Sequence, residues 1–372
     1  MNSKARPFLD FYEKHEIIPT KLNINSQSEF LAQRDRLFES LGILPKIFQG
    51  AKIIEVGPGT GQKALHLLSK SPDTYTAVDL NNASIRSTKR LIDDHGFGDK
   101  SKVVVADFLD LKISDKFNFV LAELVIPTQI TPDLFVKKIC ELLESGGVAV
   151  ITCIDPIGLL PEILRKAIVL RLSLIDEDLN QSATRIANFF EQDLNSLEGM
   201  DRLRTDWAVD NLINPWLGGA FSVPQAIASL GSEVRFYRSA PSFSENYLWH
   251  KNKSMSNQKR NLSIIEEYWR KCHNFIDYRS VDPPRSEVAN QKLFSLCGLL
   301  YSDVHQQIWN QDSSYKVSRI CSEIMGEITD LNPNTLKSLS SFNRFWQTED
   351  PKELTDFHAW WGRATHYVSL LR

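Results

Sequence analysis

The segment Ile53-Ile54-Glu55-Val56-Gly57-Pro58-Gly59-Thr60-Gly61-Gln62 carries the strongest chemical suggestion in the chain. It runs from an apolar stretch through a glycine-rich turn into an amphipathic stretch, the order strand, turn, helix. Glycines are needed where the backbone must bend sharply and let a ligand lie directly on it, because a Cβ would collide or forbid the dihedrals. The spacing then limits the ligand. A dinucleotide turn reads G-x-G-x-x-G, but here the third glycine, Gly61, arrives one residue early and Gln62 stands in its place. A phosphate cradle fits poorly as well, since no Lys-Ser/Thr pair follows the glycines and Glu55 would repel a pyrophosphate. A carboxylate at Glu55 suits a ligand with an ammonium group. Three more acids follow apolar runs: Asp79 in Ala77-Val78-Asp79-Leu80, Asp107 in Val105-Ala106-Asp107-Phe108, and Glu123 after residues 117–122.

The elements that must position these acids can be read from the same stretch. From Ala51 onward short apolar runs, 52–56, 75–78, 103–106, 117–122 and 148–154, alternate with segments of helical spacing, 61–69, 82–95 and 132–143, with Asn81 or Thr131 placed to cap. The alternation predicts an α/β fold, a doubly wound and mostly parallel sheet with helices on both faces. Ligands of such sheets bind outside the carboxyl ends of the strands, which puts the four acids on one rim. Two further strands are expected at 233–237 and 246–250, giving seven with the last pair joined as a hairpin. Around this core, residues 1–47 read as an N-terminal helical cap in two pieces, 8–15 and 28–41, with Gly42 at a helix end. The core itself would span 48–251, with a helical insertion over 156–230 before strand six. Residues 252–372 show no strand pattern and read as a helical C-terminal region.

Composition narrows the classes. The 372 residues are 42% hydrophobic and 24% charged, an ordinary globular balance for one large domain with additions or for two domains. A formal net charge of -3 leaves no global excess of Lys and Arg for a phosphate backbone, so nucleic acid is a disfavoured partner. Cys140, Cys153, Cys272, Cys297 and Cys321 form no C-x-x-C pair, which fits neither a disulfide framework nor a zinc site; no metal is expected. Idle thiols in a reducing cytosol are the simpler reading. No apolar run follows the polar N-terminus, so no secretory signal is expected. The most apolar stretch, 148–175, is broken by Asp155, Pro156, Pro161, Arg165 and Lys166, short of the ~20 apolar residues of a membrane span. The expectation is a cytoplasmic protein without a membrane span.

With its acid, its glycines and the spaced strands behind them, the chain resembles the class I S-adenosylmethionine-dependent methyltransferases over about residues 48–155, and less fully over 225–251. The resemblance implies a Rossmann-like seven-stranded sheet and S-adenosylmethionine as cofactor. It implies that Glu55 faces the methionine ammonium and that Gly57, Gly59 and Gly61 shape the loop beneath the cofactor. Asp79 would accept the ribose hydroxyls and Leu80 would flank the adenine. Asp107 would receive the adenine amino group with Phe108 beside the ring, and Glu123 would lie near the methyl being transferred. An enlarged element before strand six commonly roofs the acceptor pocket in this family, which makes Asp206, Trp207, Asp210, Asn211 and Trp216 substrate candidates. Tyr12 and His15 belong to an N-terminal helix of the kind that closes over the cofactor.

Methyl transfer from a sulfonium is an in-line displacement, so the protein chiefly aligns donor and acceptor and excludes water. A base is needed only where the acceptor must lose a proton. Asp155 and Glu123 are the catalytic candidates, although Asp155 also stands where it would cap the turn before Pro156. The run Ala122-Glu123-Leu124-Val125-Ile126-Pro127 lacks the Asn/Asp-Pro-Pro-Tyr/Phe signature that holds base amino groups and related amides. The expected acceptor is a small molecule, sugar or glycan, methylated on oxygen or nitrogen, with a homodimer formed through the C-terminal helices. The alternatives are a protein or peptide methyltransferase that docks through those helices, and a scaffold without activity. A nicotinamide-dependent oxidoreductase is disfavoured by the glycine spacing.

Overall fold

The computed structural model describes residues 7–15, 26–197, 200, 202–215, 220–245, 251, 255–305 and 309–372. Seven strands lie among them: β1 Lys52–Val56, β2 Thr74–Asp79, β3 Ser101–Val105, β4 Phe117–Ala122, β5 Leu143–Ile154, β6 Arg235–Ala240 and β7 Thr365–Leu371. They form one sheet in the order β3-β2-β1-β4-β5-β7-β6. The strands β3, β2, β1, β4 and β5 run parallel, and β6 pairs antiparallel with β7. Gly146 N–H donates to Arg372 O, Arg372 N–H to Gly147 O and Asp155 N–H to Ala364 O, so β7 also runs against β5. The sheet is the doubly wound, mostly parallel one expected.

The helices are α1 Pro7–Lys14, α2 Gln27–Ser40, α3 Gln62–Ser69, α4 Asn82–Asp94, α5 Pro132–Leu142, α6 Leu160–Arg171, α7 Leu179–Phe189, α8 Glu191–Asn195, α9 Arg204–Ala208, α10 Val223–Ala228, α11 Asn257–Lys271, α12 Glu287–Val304, α13 Gln311–Glu327 and α14 Pro333–Thr348. Asn81 caps α4, its side chain accepting from Ala83 N and Ser84 N; Thr131 stands at the start of α5 but makes no such bond. On one face of the sheet, Ile53, Tyr75, Ala77, Phe119, Leu121, Val148 and Val150 pack with Phe38 of α2 and Ala64, Leu67 and Leu68 of α3. Because side chains alternate along a strand, Glu55 shares the face of Ile53, and Glu123 continues the row of Phe119 and Leu121.

The chain divides into two compact units. One comprises Met1–Cys153, Phe221–Tyr268 and His366–Arg372 and contains the sheet; the other comprises Ile154–Ala220 and Trp269–Thr365 and is helical. This corrects the expected division in two respects. The seventh strand among the described residues is Thr365–Leu371, and the expected strand at 246–250 lies outside the described residues. The stretch after 252 is therefore not an appended region: it returns to the sheet, and the helical unit is assembled from two insertions, one between β5 and β6 and one between β6 and β7. The strand was hidden because it is covered on both sides. His366, Val368, Ser369 and Leu370 are all fully buried, so no polar-apolar alternation marks it.

Within the helical unit, Arg165 is fully buried, paired with Asp193 at 2.7 Å and lying over the rings of Trp361 and Phe357. The segment Trp360-Trp361-Gly362-Arg363 is structural. Trp360 Nε1 donates to Ile276 O at 2.8 Å, and Arg363 donates to Tyr278 O at 2.6 Å and Asn274 O at 2.5 Å. Gly362 crosses Gly158 so closely that a Cβ on it would lie 1.9 Å from Gly158 O. No helix among the described residues is long and apolar enough to cross a membrane, and the five cysteines are buried.

Candidate functional site

The glycine turn leaves β1 and enters α3. Gly57, Gly59 and Gly61 have φ of 73°, 60° and 85°, a region open to glycine and costly for other residues. Two of them are required by the protein itself. A Cβ on Gly57 would lie 2.2 Å from Val125 Cγ2, and one on Gly61 would lie 2.8 Å from the Thr88 backbone. The turn is thus pressed between the loop after β4 and α4, which fixes its shape before any ligand arrives.

Glu55 lies on β1 opposite Ala77 and Leu121, and is almost completely buried. Tyr75, diagonal to it on β2, donates its hydroxyl to Oε2 at 2.5 Å. The other oxygen, Oε1, is buried with no hydrogen-bond partner. Burial raises the pKa of Glu55 above the usual carboxylate value, and the Tyr75 hydroxyl and the Lys63 charge only partly offset it. A buried carboxyl with an unmade bond holds free energy that a donor can release.

Glu123 follows β4 on the same face and has a different environment. Arg34 of α2 grips it with two parallel bonds, Nη1 to Oε1 at 3.1 Å and Nη2 to Oε2 at 2.8 Å. Lys63 of α3 stands 3.3 Å from Oε1, and Tyr367 of β7 donates to the same oxygen at 3.2 Å. Burial alone would raise this carboxyl, yet the two cations bring it down to about 2. Arg34 is held protonated against burial by Glu123 and, less strongly, by Tyr367 and Glu55, and its own Nε is buried without a partner.

Glu55 Oε1 and Arg34 Nε are therefore two buried, unsatisfied atoms of opposite polarity in one neighbourhood. An amino-acid head group fits such a pair, its ammonium facing Glu55 and its carboxylate facing Arg34 and Lys63. A diphosphate does not, because Glu55 and Glu123 oppose it.

Asp79 ends β2 and is mostly buried. Asn81 N–H donates to its Oδ1 at 2.9 Å, and the amides of Leu80 and Gly59 and the Ser84 hydroxyl also reach the carboxylate. Burial raises its pKa and these bonds oppose that rise. The acid thus ties the glycine turn to the start of α4. Leu80 beside it is half-buried. Asp107 accepts from Leu109 N at 2.9 Å in the turn after β3. Phe108 is buried, with its ring 4.6 Å from that of Phe135 and Lys138 Nζ over its face.

Several expected site residues have other work. Asp155 is buried, and its Oδ1 accepts from Ile157 N at 2.8 Å and Gly158 N at 3.0 Å, so it caps the turn and is not presented as a base. Glu123 is likewise no proton acceptor, since an acid held at about 2 between two cations is a poor base. Trp207 of α9 is buried edge-on against Phe190 and Trp361, and Asn211 donates to Trp207 O at 2.9 Å. The backbone oxygen of Asp206 accepts from Arg202 at 3.3 Å, and Arg202 also pairs with Asp210. Trp216 lies outside the described residues. Tyr12 is buried on α1, and His15 just beyond that helix has its ring 4.8 Å from Phe11. His66 is packed at the sheet face, stacked on Phe38 with Nε2 2.7 Å from Asp35.

Arg34, Lys63, Tyr75 and Tyr367 escaped sequence reading. Tyr75 was within reach of it, since period two along β2 aims it at the strand carrying Glu55. Arg34 carried a weaker signal, four residues before Phe38 on the apolar side of α2.

A family model described as a methyltransferase domain matches residues 47–200. A mitochondrial ribosomal RNA small subunit methyltransferase of Arabidopsis thaliana is 28% identical over 114 residues, 31% of this chain and 29% of that protein. The chain thus spans less than a third of this curated relative. Among solved structures, the N-methyltransferase NodS from Bradyrhizobium japonicum WM9, crystallised with S-adenosyl-L-homocysteine, matches with a TM-score of 0.33 and 14% identity. That match covers 40% of this chain and 74% of NodS. The [4+2]-cyclase SpnF matches with a TM-score of 0.39 and 10% identity over 95% of this chain and 85% of its own. Residues 47–200 of the chain thus match a methyltransferase domain, in the stretch that carries the acid-glycine turn and the parallel strands of the sheet.

Proposed function

We propose that this protein transfers the methyl group of S-adenosylmethionine to a small molecule, sugar or glycan. The observation that carries the proposal is the pair of unsatisfied buried atoms, Glu55 Oε1 and Arg34 Nε, beside a turn whose glycines are fixed by Val125 and Thr88. When bound, the cofactor supplies an electrophilic methyl on a positively charged sulfur. The chain's own part is to hold it. Glu55 takes the ammonium, Arg34 and Lys63 stand ready for the carboxylate, and Glu123 keeps both cations in place. Asp79 and Asp107 keep the roles proposed for them at the ribose and the adenine, with Leu80 and Phe108 beside the ring.

The acceptor is best suited by an amine. Both candidate bases are occupied, Glu123 by two cations and Asp155 by turn amides, and a neutral amine attacks a sulfonium methyl without a base. The buried free thiols of Cys140, Cys272, Cys297 and Cys321 suit a reducing compartment such as the cytosol. A second reading, methylation of ribosomal RNA, is favoured by the Arabidopsis relative and opposed by the net charge of -3.

The test is release of S-adenosylhomocysteine by the purified full chain against a panel of amine, hydroxyl and glycan acceptors beside ribosomal RNA. Turnover on an amine or hydroxyl acceptor, lost in Glu55→Gln, supports the proposal. Turnover on ribosomal RNA alone would move the assignment to the second reading.

A further inference from the structure

The ring and the hydroxyl of Tyr75 serve different neighbourhoods. The ring is buried in the apolar cluster on one face of the sheet, with Ile53, Ala77, Phe119 and Leu121. The hydroxyl leaves that cluster to donate to Glu55 Oε2 at 2.5 Å. A phenol in an apolar core costs free energy unless its hydroxyl is bonded, and a phenylalanine ring would fill the same space without that need. The hydroxyl is there for Glu55.

Glu55 has no second donor of this kind. Arg34 is committed to Glu123 through both terminal nitrogens, and Lys63 stands 3.3 Å from Glu123 Oε1. Both act on Glu55 by charge and not by a bond. Among the described residues the Tyr75 hydroxyl is the one donor bonded to this carboxyl, and Oε1 has none.

Glu123 shows what a different choice of partner does. Two cations neutralise it and take up its oxygens. A neutral donor does neither: it fills one oxygen of Glu55 and leaves the negative charge, with the whole of the other oxygen, to a ligand. It also fixes the plane of the carboxyl, whose last torsion is otherwise broad. Burial, with the charge of Glu55, holds the phenol well above its ordinary value, so the hydroxyl keeps its proton and remains a donor.

We propose that Tyr75 is the positioning residue of the head-group site, its hydroxyl locking Glu55 with Oε1 turned to the ligand ammonium. The proposal rests on the reading of Glu55 as the partner of that ammonium. It has a consequence in pH. Burial and the negative charge of Glu123 favour the neutral form of Glu55, while the Tyr75 bond and the charges of Lys63 and Arg34 favour the carboxylate. Glu123, at about 2, and the phenol do not titrate near neutrality. Removing the hydroxyl should therefore raise the pH at which Glu55 becomes ready for an ammonium.

The test is calorimetric titration of the full chain and of Tyr75→Phe with S-adenosylhomocysteine between about pH 5 and pH 8. Methylthioadenosine, which keeps the adenosine and the sulfur but has no amino-acid head, is the control ligand. The natural profile should tighten with pH. In Tyr75→Phe it should move up by about one pH unit, with affinity about tenfold weaker on the rising limb, the scale of one hydrogen bond to a charged group. The control ligand should bind both proteins alike. Superimposable profiles, or an equal loss for both ligands, overturn the proposal and leave the assignment of Glu55 in place. A natural protein that ignores S-adenosylhomocysteine, or binds it without pH dependence, overturns that assignment and this proposal with it. Should Tyr75→Phe fail to fold, Glu55→Gln is compared with the double variant carrying Tyr75→Phe as well. Equal affinities for S-adenosylhomocysteine support action through Glu55, and a further loss in the double variant overturns it.

Discussion

Glu55 on β1 and Glu123 just after the adjacent β4 lie on one face of the sheet, and their surroundings drive their acidity in opposite directions. Glu123, at about 2, contributes stability that is complete above its unfolded value of 4.5 and is lost as pH falls from there toward 2. A shift of this size corresponds to about 3 kcal/mol. Urea unfolding between pH 7 and pH 3 should show about 2 kcal/mol of that loss, the remainder falling below pH 3. In Glu123→Gln the profile should flatten at a lower stability, because Arg34 and Lys63 keep their charges without the buried partner. Glu55 works the other way. Its raised value means that a ligand ammonium must draw it into the carboxylate form, so cofactor binding should tighten as pH rises through that value. Glu55→Gln should bind S-adenosylhomocysteine about 10–100-fold more weakly and lose this pH dependence. A pH-independent affinity in the natural protein would remove Glu55 from the head-group site.

At the scale of the element, the glycine turn was read as shaped for a ligand, and the structure adds that it is also shaped by its own neighbours. Gly57→Ala places a Cβ against Val125 in a backbone region that disfavours it. Its expected cost is about 1–3 kcal/mol in stability, measured by chemical unfolding, with cofactor affinity lost as the turn moves. An alanine variant as stable as the natural protein would show that the loop after β4 yields. The parallel strands were legible because they alternate with amphipathic helices over short distances, and β1 and β4 are found at the expected residues. β7 was not legible. It follows the longest insertion and is buried on both faces, so neither periodicity nor proximity marks it. The acids at the strand ends were legible as a row, but the cations that neutralise Glu123 come from α2 and α3, and pairing across elements leaves no local pattern.

At the scale of the molecule, the chain's ends belong to one unit and its middle is shared between two. A C-terminal region read as an appendage would be removable; a chain whose last strand sits between β5 and β6 is not. Ending the chain at residue 364 deletes β7, with Val368 and Leu370 fully buried and Tyr367 bonded to Glu123. The shortened protein is expected to lose its cooperative thermal transition by circular dichroism. Retention of that transition would mean that the sheet closes without its seventh strand.

The central claim is that the turn after β1 receives an amino-acid head group and not a diphosphate. Calorimetric titration of the purified full chain with S-adenosylhomocysteine and, separately, with a nicotinamide dinucleotide tests it most directly. Saturable binding of the first, weakened in Glu55→Gln, and none of the second is expected. Binding of the dinucleotide together with indifference to S-adenosylhomocysteine would contradict it.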